Sequence, residues 1–190
     1  KASRRYHHGD LRAALIAEAT AALDRDPEAE ITLRGLAKAV GVSTMAPYAH
    51  FDDKDSLMDA LAVEGFAALE TTLKSATAEL REGISPEAQL TALAKAYVAY
   101  GVAHPGMYRV MFQRPARLRG HPVRDAGKKA FQPLTEFFVN RGSNPRQRAE
   151  IAWSFVHGLT LLTRVGFIDA DQVLENHIKA ACKAFLHGGA

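Results

Sequence analysis

Apolar residues return at three- and four-residue intervals along nearly the whole chain, as in Leu11, Leu15, Ile16, Ala19 and Leu23, and again in Leu57, Leu61, Phe66, Leu69, Leu73 and Leu80. This spacing lays them along one face of a helix. No run of five or more residues alternates as a half-buried strand does, so the pattern predicts an all-α protein. Glycine and proline punctuate it into about nine helices, over 10–24, 33–40, 44–50, 54–81, 86–104, 107–113, 123–140, 145–165 and 171–186. Ser85-Pro86-Glu87 reads as a cap followed by proline at the first helical position. Gly83, Pro105-Gly106, Arg141-Gly142 and Gly166 read as stops, Asn144-Pro145 as a start, and Asp169-x-x-Gln172 as a capping box. Residues 114–124 read as a loop.

The most informative stretch is 32–54, TLRGLAKAVGVSTMAPYAHFDDK. Leu33, Leu36, Ala37 and Val40 mark a short helix, Gly41 supplies the positive φ of a sharp exit, and Val42 fills the angle behind it. Ala37 is small, as a near-perpendicular helix crossing requires. Ser43 is the expected N-cap of a second helix through His50, anchored by Phe51. Pro47 falls in the fourth position of that helix, which predicts a short, distorted first turn. Asp52 or Asp53 is expected to cap the helix that begins near Lys54. Two helices so joined form a helix-turn-helix, and Tyr48, His50 and Lys54 at one end of the exposed second helix suit phosphate oxygens.

Composition narrows the function by exclusion. At 190 residues and 47% hydrophobic content the chain holds one sizeable core, with or without a small appended domain. The single cysteine, Cys182, excludes an intramolecular disulfide and a multi-cysteine zinc site, and reads as a buried helix residue. No apolar run approaches the roughly 20 residues that span a bilayer, and a cytoplasmic location is expected. The eight histidines show no shared metal-ligand spacing, so neither a metal nor a cofactor is expected. Without a Gly-rich phosphate loop, HExxH, GxSxG or a usefully spaced carboxylate pair, no catalytic residue is assigned and an enzyme is not expected. The net charge of +3 gives little support for DNA binding by itself. The support is positional: Lys1, Arg4, Arg5, His7 and His8 form a basic leader, whereas Asp24, Asp26, Glu28 and Glu30 cluster in a loop expected to face away from a duplex.

GDLRAALIAEATAAL, ITLRGLAKAVGVS and YAHFDDKDSLMDAL, in that order within residues 8–65, resemble the head of the TetR family of bacterial transcriptional regulators. HPGMYRVMF at 104–112 and Trp153-x-x-x-His157-Gly158 resemble the subgroup whose ligand domain carries a Trp-His-Gly signature. The resemblance implies a homodimer whose heads enter successive major grooves of a double-stranded DNA operator, with an effector held in the C-terminal lobe. It assigns residues 1–53 to a DNA-binding domain and 54–190 to an effector and dimerisation domain, linked by the helix over 54–81. Carried over residue by residue, it places Thr32, Arg34, Thr44, Met45, Ala46, Tyr48, His50 and Lys54 at the DNA, and Ser43 together with Arg4 and Arg5 of the basic leader complete the candidate DNA-binding set. Arg34, Thr44, Met45 and Ala46 would then face base edges or thymine methyls, and Thr32, Tyr48, His50 and Lys54 phosphates.

Phe66, Tyr97, Tyr100, Met107, Met111, Phe131, Trp153 and His157 are the candidate walls of a pocket for a small apolar effector, although aromatic residues at helical spacing equally fill cores. Ile151, Phe155, Gly158, Leu159, Leu162, Leu174 and Ile178 are the candidate dimer interface, since the last two helices carry more apolar surface than one core needs. The expected function is a ligand-responsive repressor. The alternatives are a constitutive or architectural DNA-binding protein without an effector, and a small all-α enzyme.

Overall fold

Thr32 and Gly41 bound the first helix of the central motif as their chemistry requires. The Thr32 hydroxyl oxygen accepts from the Gly35 N–H at 3.1 Å. Gly41 adopts φ 78°, ψ 31°, where the Gly41 N–H reaches the Lys38 carbonyl and the Val42 N–H the Ala37 carbonyl, a Schellman stop. The same motif ends the seventh helix, with Gly166 at φ +78° and the Phe167 N–H donating to the Leu162 carbonyl at 2.9 Å. Ser85 caps as expected, accepting from the Ala88 N–H at 3.2 Å.

The computed structural model describes residues 11–78, 80, 83–113, 121–139, 141–169 and 172–187. Among them are eight α-helices and no strand: α1 (Leu11–Arg25), α2 (Leu33–Val40), α3 (Lys54–Ala78), α4 (Pro86–Ala103), α5 (Pro105–Gln113), α6 (Pro122–Phe138), α7 (Pro145–Arg164) and α8 (Gln172–His187). The expected ninth helix is a 3-10 turn, Ala46–Ala49. The long helix ends at Ala78, short of 81, and α5 starts at Pro105 because proline at the first helical position leaves no N–H unsatisfied. The link between Asp169 and Gln172 lies partly outside the described residues.

The chain forms two compact units, one drawn from residues 1–65 and 104–124, the other from 66–103 and 125–190. The expected domains met at 53/54, at the start of α3. The division into compact units falls inside α3 and groups α5 with α1 and α2, because α5 packs on α1. Gly106 makes that approach possible: a Cβ there would stand 2.7 Å from the Leu23 carbonyl oxygen and 3.0 Å from Pro27 Cα. Arg109 then donates from Nε and Nη2 to the Pro27 carbonyl at 3.1 and 2.8 Å, and His104 Nδ1 lies 3.4 Å from Asp24. The first unit is centred on Leu15, Leu23, Leu36, Ala37, Phe51, Leu57, Leu61, Tyr108 and Met111, all buried.

In the second unit α4 packs against α7 and α8. Phe66, Leu69, Leu73, Leu93, Tyr97, Val98, Phe138, Leu159, Ile178 and Cys182 are buried there, the cysteine as expected. Burial pushes the Cys182 thiol pKa up. Arg148 fastens three segments, lying 5.0 Å over the Phe138 ring and donating to the Arg141 and Phe185 carbonyls. Glu175 bridges Lys95 of α4 at 2.9 Å and Lys179 of α8 at 2.8 Å, and the two ammonium groups hold its carboxyl pKa down at about 2.

Candidate nucleic-acid interface and effector lobe

Between α2 and α3 the chain buries only what it needs for anchorage. Pro47 and Phe51 are buried, the latter under the Arg12 guanidinium at 5.5 Å, whereas Thr44, Met45, Tyr48, Ala49 and His50 are exposed and Ala46 is half-buried. Pro47 explains why this segment is 3-10 rather than α: it cannot donate backward, yet its carbonyl accepts from both His50 and Phe51, at 2.9 and 3.0 Å. The expected Ser43 side-chain cap is corrected by the same geometry. The Ser43 carbonyl accepts from the Ala46 N–H at 3.0 Å, and the turn's N-cap is Met45, without a side-chain hydrogen bond.

Asp53 does cap α3. Its carboxylate accepts from the Ser56 N–H at 2.8 Å while the Ser56 hydroxyl oxygen accepts from the Asp53 N–H at 3.2 Å. Lys54 at the start of that helix is 3.4 Å from Glu30, both exposed. Thr32, Arg34 and Ser43 are exposed as well, so apart from half-buried Ala46 every described candidate DNA residue lies open to solvent. Met45 is 69% exposed, so this apolar side chain faces outward. Arg4 and Arg5 lie outside the described residues. The acidic loop is engaged within its own unit: Asp24 by His104, Glu28 by Arg109 at 3.7 Å and Glu30 by Lys54.

In the second unit a hydrogen-bonded relay joins α4 to α7. Trp153 Nε1 donates to the Tyr97 hydroxyl oxygen at 3.0 Å, and that hydroxyl lies 3.0 Å from His157 Nδ1. An indole can only donate, so the Tyr97 oxygen accepts from Trp153, and the direction of the Tyr97–His157 bond follows the imidazole tautomer. Burial lowers the His157 pKa, favouring the neutral ring. Phe131 of α6 packs on Trp153 with ring centroids 5.3 Å apart. Four of the candidate effector residues are thereby brought together, with Phe66 and Tyr100 buried in the same unit. Met107 and Met111 belong to the first unit, where both pack around Gly65, at whose position a Cβ would stand 2.7 Å from Met111 Sδ and 2.9 Å from Met107 Cγ. Sequence spacing does not reveal this use, because methionine suits a core gap and a ligand wall equally.

The candidate interface residues divide. Ile151 and Leu162 are exposed, at 52% and 44%, and Phe155 is half-buried against Phe185 at 5.9 Å. Leu159 and Ile178 are instead buried inside the protomer, at 4% and 1%, because they face the α4–α7–α8 packing. The Leu174 side chain is outside the described residues. Sequence reasoning missed Leu161, Val165 and Phe167, whose exposures of 42%, 67% and 81% make them outward-facing too. It also missed the His104, Gly106 and Arg109 contacts on the α1–α2 loop, which no local spacing signals.

Residues 90–181 match the family model described as the tetracyclin repressor-like C-terminal domain. The chain is 30% identical to a protein with unknown function from Rhodococcus sp. RHA1, whose structure superposes with a TM-score of 0.84 over 99% of this chain and 100% of that one. A bacterial regulatory protein in the tetR family, also from Rhodococcus RHA1, shares the fold with a TM-score of 0.70, 16% identity and coverage of 92% of this chain and 96% of that one. The nucleoid occlusion factor SlmA of Marinobacter nauticus is 29% identical over 142 residues, 70% of this chain and 71% of that protein. With the all-helical architecture and the helix-turn-helix in place, these likenesses converge: the chain carries a tetracyclin repressor-like C-terminal domain and has the fold of TetR-family regulatory proteins.

Proposed function

We propose that the protein is a ligand-responsive repressor that binds a pseudo-palindromic operator as a homodimer and releases it when a small apolar molecule occupies the C-terminal lobe. The observation that carries the reading is the row Arg34, Thr44, Met45, Tyr48, His50 and Lys54, all exposed on a segment anchored by buried Pro47 and Phe51. Phosphate contacts from Thr32, Tyr48, His50 and Lys54 would fix register; the Thr32 oxygen accepts within its cap, which leaves its hydroxyl proton to donate. Arg34 and Thr44 would touch base edges, and Met45 a thymine methyl. The segment 43–50 carries no Asn, Gln or Arg, so bidentate readout would come from Arg34 or the leader, with sequence-dependent DNA shape supplying part of the specificity.

The effector would contact the relay of Tyr97, Trp153 and His157 with Phe131, where apolar rings surround a few fixed polar atoms. Its differential affinity for the DNA-bound and free conformations sets the response. A preference of about 1–3 kcal/mol changes operator affinity roughly 5- to 150-fold. Among the described residues no helix is long and apolar enough to cross a membrane, which is compatible with a cytoplasmic regulator.

The test is selection of genomic fragments by the full chain, followed by footprinting. An enriched inverted repeat, protected on two adjacent major grooves, is the expected result, and the absence of any enriched motif refutes the reading. A second reading, an architectural DNA-bound role without an effector, draws on the likeness to the Marinobacter nauticus nucleoid occlusion factor. A screen of small hydrophobic compounds separates the two, since only the first predicts a compound that shifts both thermal stability and operator binding.

A further inference from the structure

Three cations of the first unit already have carboxylate partners: Arg25 meets Glu18 at 2.8 Å, Arg109 meets Glu28 at 3.7 Å and Lys54 meets Glu30 at 3.4 Å. Arg12 of α1 does not. It is exposed, forms no ion pair or hydrogen bond among the described residues, and holds its guanidinium 5.5 Å from the centroid of the Phe51 ring. The helix dipole disfavours a cation in a first turn, and the first turn of α1 carries no acidic residue to offset it. Stacked on an aromatic face, the planar donor fork of an arginine is pre-organised while its N–H edge stays open. A charge so fixed and so lacking a partner suits an anion from outside the chain.

Phe51 sets where that anion lies. The residue is 3% exposed and its N–H donates to the Pro47 carbonyl at 3.0 Å, so the ring is tied to the turn that carries exposed Tyr48 and His50. α1 itself packs on the turn, and Lys54 opens α3 just beyond Phe51. We propose that Arg12 is a further phosphate-binding residue of the DNA interface, gripping the duplex backbone from α1 while Tyr48, His50 and Lys54 grip it from the turn and from α3. Its ligand is a phosphodiester, which a guanidinium meets with two parallel N–H donors. The contact fixes the register of the head and carries no sequence information. It escapes a reading by motif because Arg12 belongs to a different helix from the helix-turn-helix and reaches it only through the Phe51 ring.

The role of Arg12 rests on the DNA-binding reading, and competition titrations of the full chain separate the two. The probes are a genomic duplex selected by the native chain and a duplex of unrelated sequence, each at several salt concentrations. Arg12→Ala is expected to weaken binding to both roughly tenfold, and to lessen the slope of log K against log salt by roughly 0.9 for each protomer bound. Arg12→Lys, a point charge without the fork, should restore the slope but not the full affinity. Arg25→Ala is the control: Arg25 sits in the last turn of α1, roughly 20 Å along the helix from Arg12, and is already paired. A purely structural role, acting through Phe51, is separated by placing uncharged methylphosphonate linkages one at a time in the selected duplex. One linkage per half-site should weaken the native chain and leave Arg12→Ala unaffected. If the alanine variant fails to fold, Arg12→Gln, planar but uncharged, replaces it in both measurements. An unchanged salt slope, or the same linkage profile for native chain and variant, overturns the contact and leaves DNA binding standing. A native chain that binds neither duplex overturns both.

Discussion

Gly106 of α5 and Leu23 of α1 lie so close that a single methyl group would separate them: a Cβ at 106 would be 2.7 Å from the Leu23 carbonyl oxygen. Both neighbours are helix backbone or its immediate extension, so neither gives way easily. Gly106→Ala is expected to destabilise by about 1–3 kcal/mol, in the range of overpacked sites. Thermal unfolding checks it.

Trp153 is the only tryptophan, so the relay reports on itself. Tyr97→Phe keeps the ring but leaves the indole N–H without its hydroxyl acceptor and His157 without that hydroxyl. A cost of about 1–3 kcal/mol follows from the stranded, half-buried partner, with a shift in the tryptophan emission spectrum. An unchanged spectrum and midpoint would show that the relay contributes nothing.

Burial holds the His157 pKa below its ordinary value, so as the pH falls below about 6.5 the unfolded chain takes up this proton before the folded one. Stability from the neutral ring is therefore complete above that pH and declines as the pH falls through the lower folded-state pKa. Unfolding midpoints between pH 7 and pH 5 should drop further in the native chain than in His157→Gln.

Tyr48→Phe and Lys54→Ala should weaken binding to all duplexes alike. Lys54→Ala should also lessen the dependence of log K on log salt by about one phosphate, a slope change of roughly 0.9. Thr44→Ala and Arg34→Ala should change which bases are preferred. Competition titrations at several salt concentrations distinguish the two classes, and an unaltered motif with Arg34→Ala would remove it from base readout.

Much of the architecture was legible because helix ends are written locally. Gly41, Ser85 and Asp53 terminate or cap where their chemistry predicts, needing only neighbours a few residues away. Ser43 misled because Pro47 imposes a tighter turn, which uses the serine's backbone instead of its hydroxyl. Met107 and Met111, Leu159 and Ile178 were less readable still, since periodicity states that a residue is buried but not against which element. The grip of Arg109 on the Pro27 carbonyl spans 82 positions and leaves no trace in either segment.

The 3-10 turn carries one further implication. Because Pro47 and Phe51 are its buried anchors, while Thr44, Met45, Tyr48 and His50 point outward, the residues that would choose an operator overlap little with those that keep the head folded. Substitution at these outward positions should be nearly neutral for folding. The head can thus drift toward new operators, in nature or by design, without first finding compensating changes in its core.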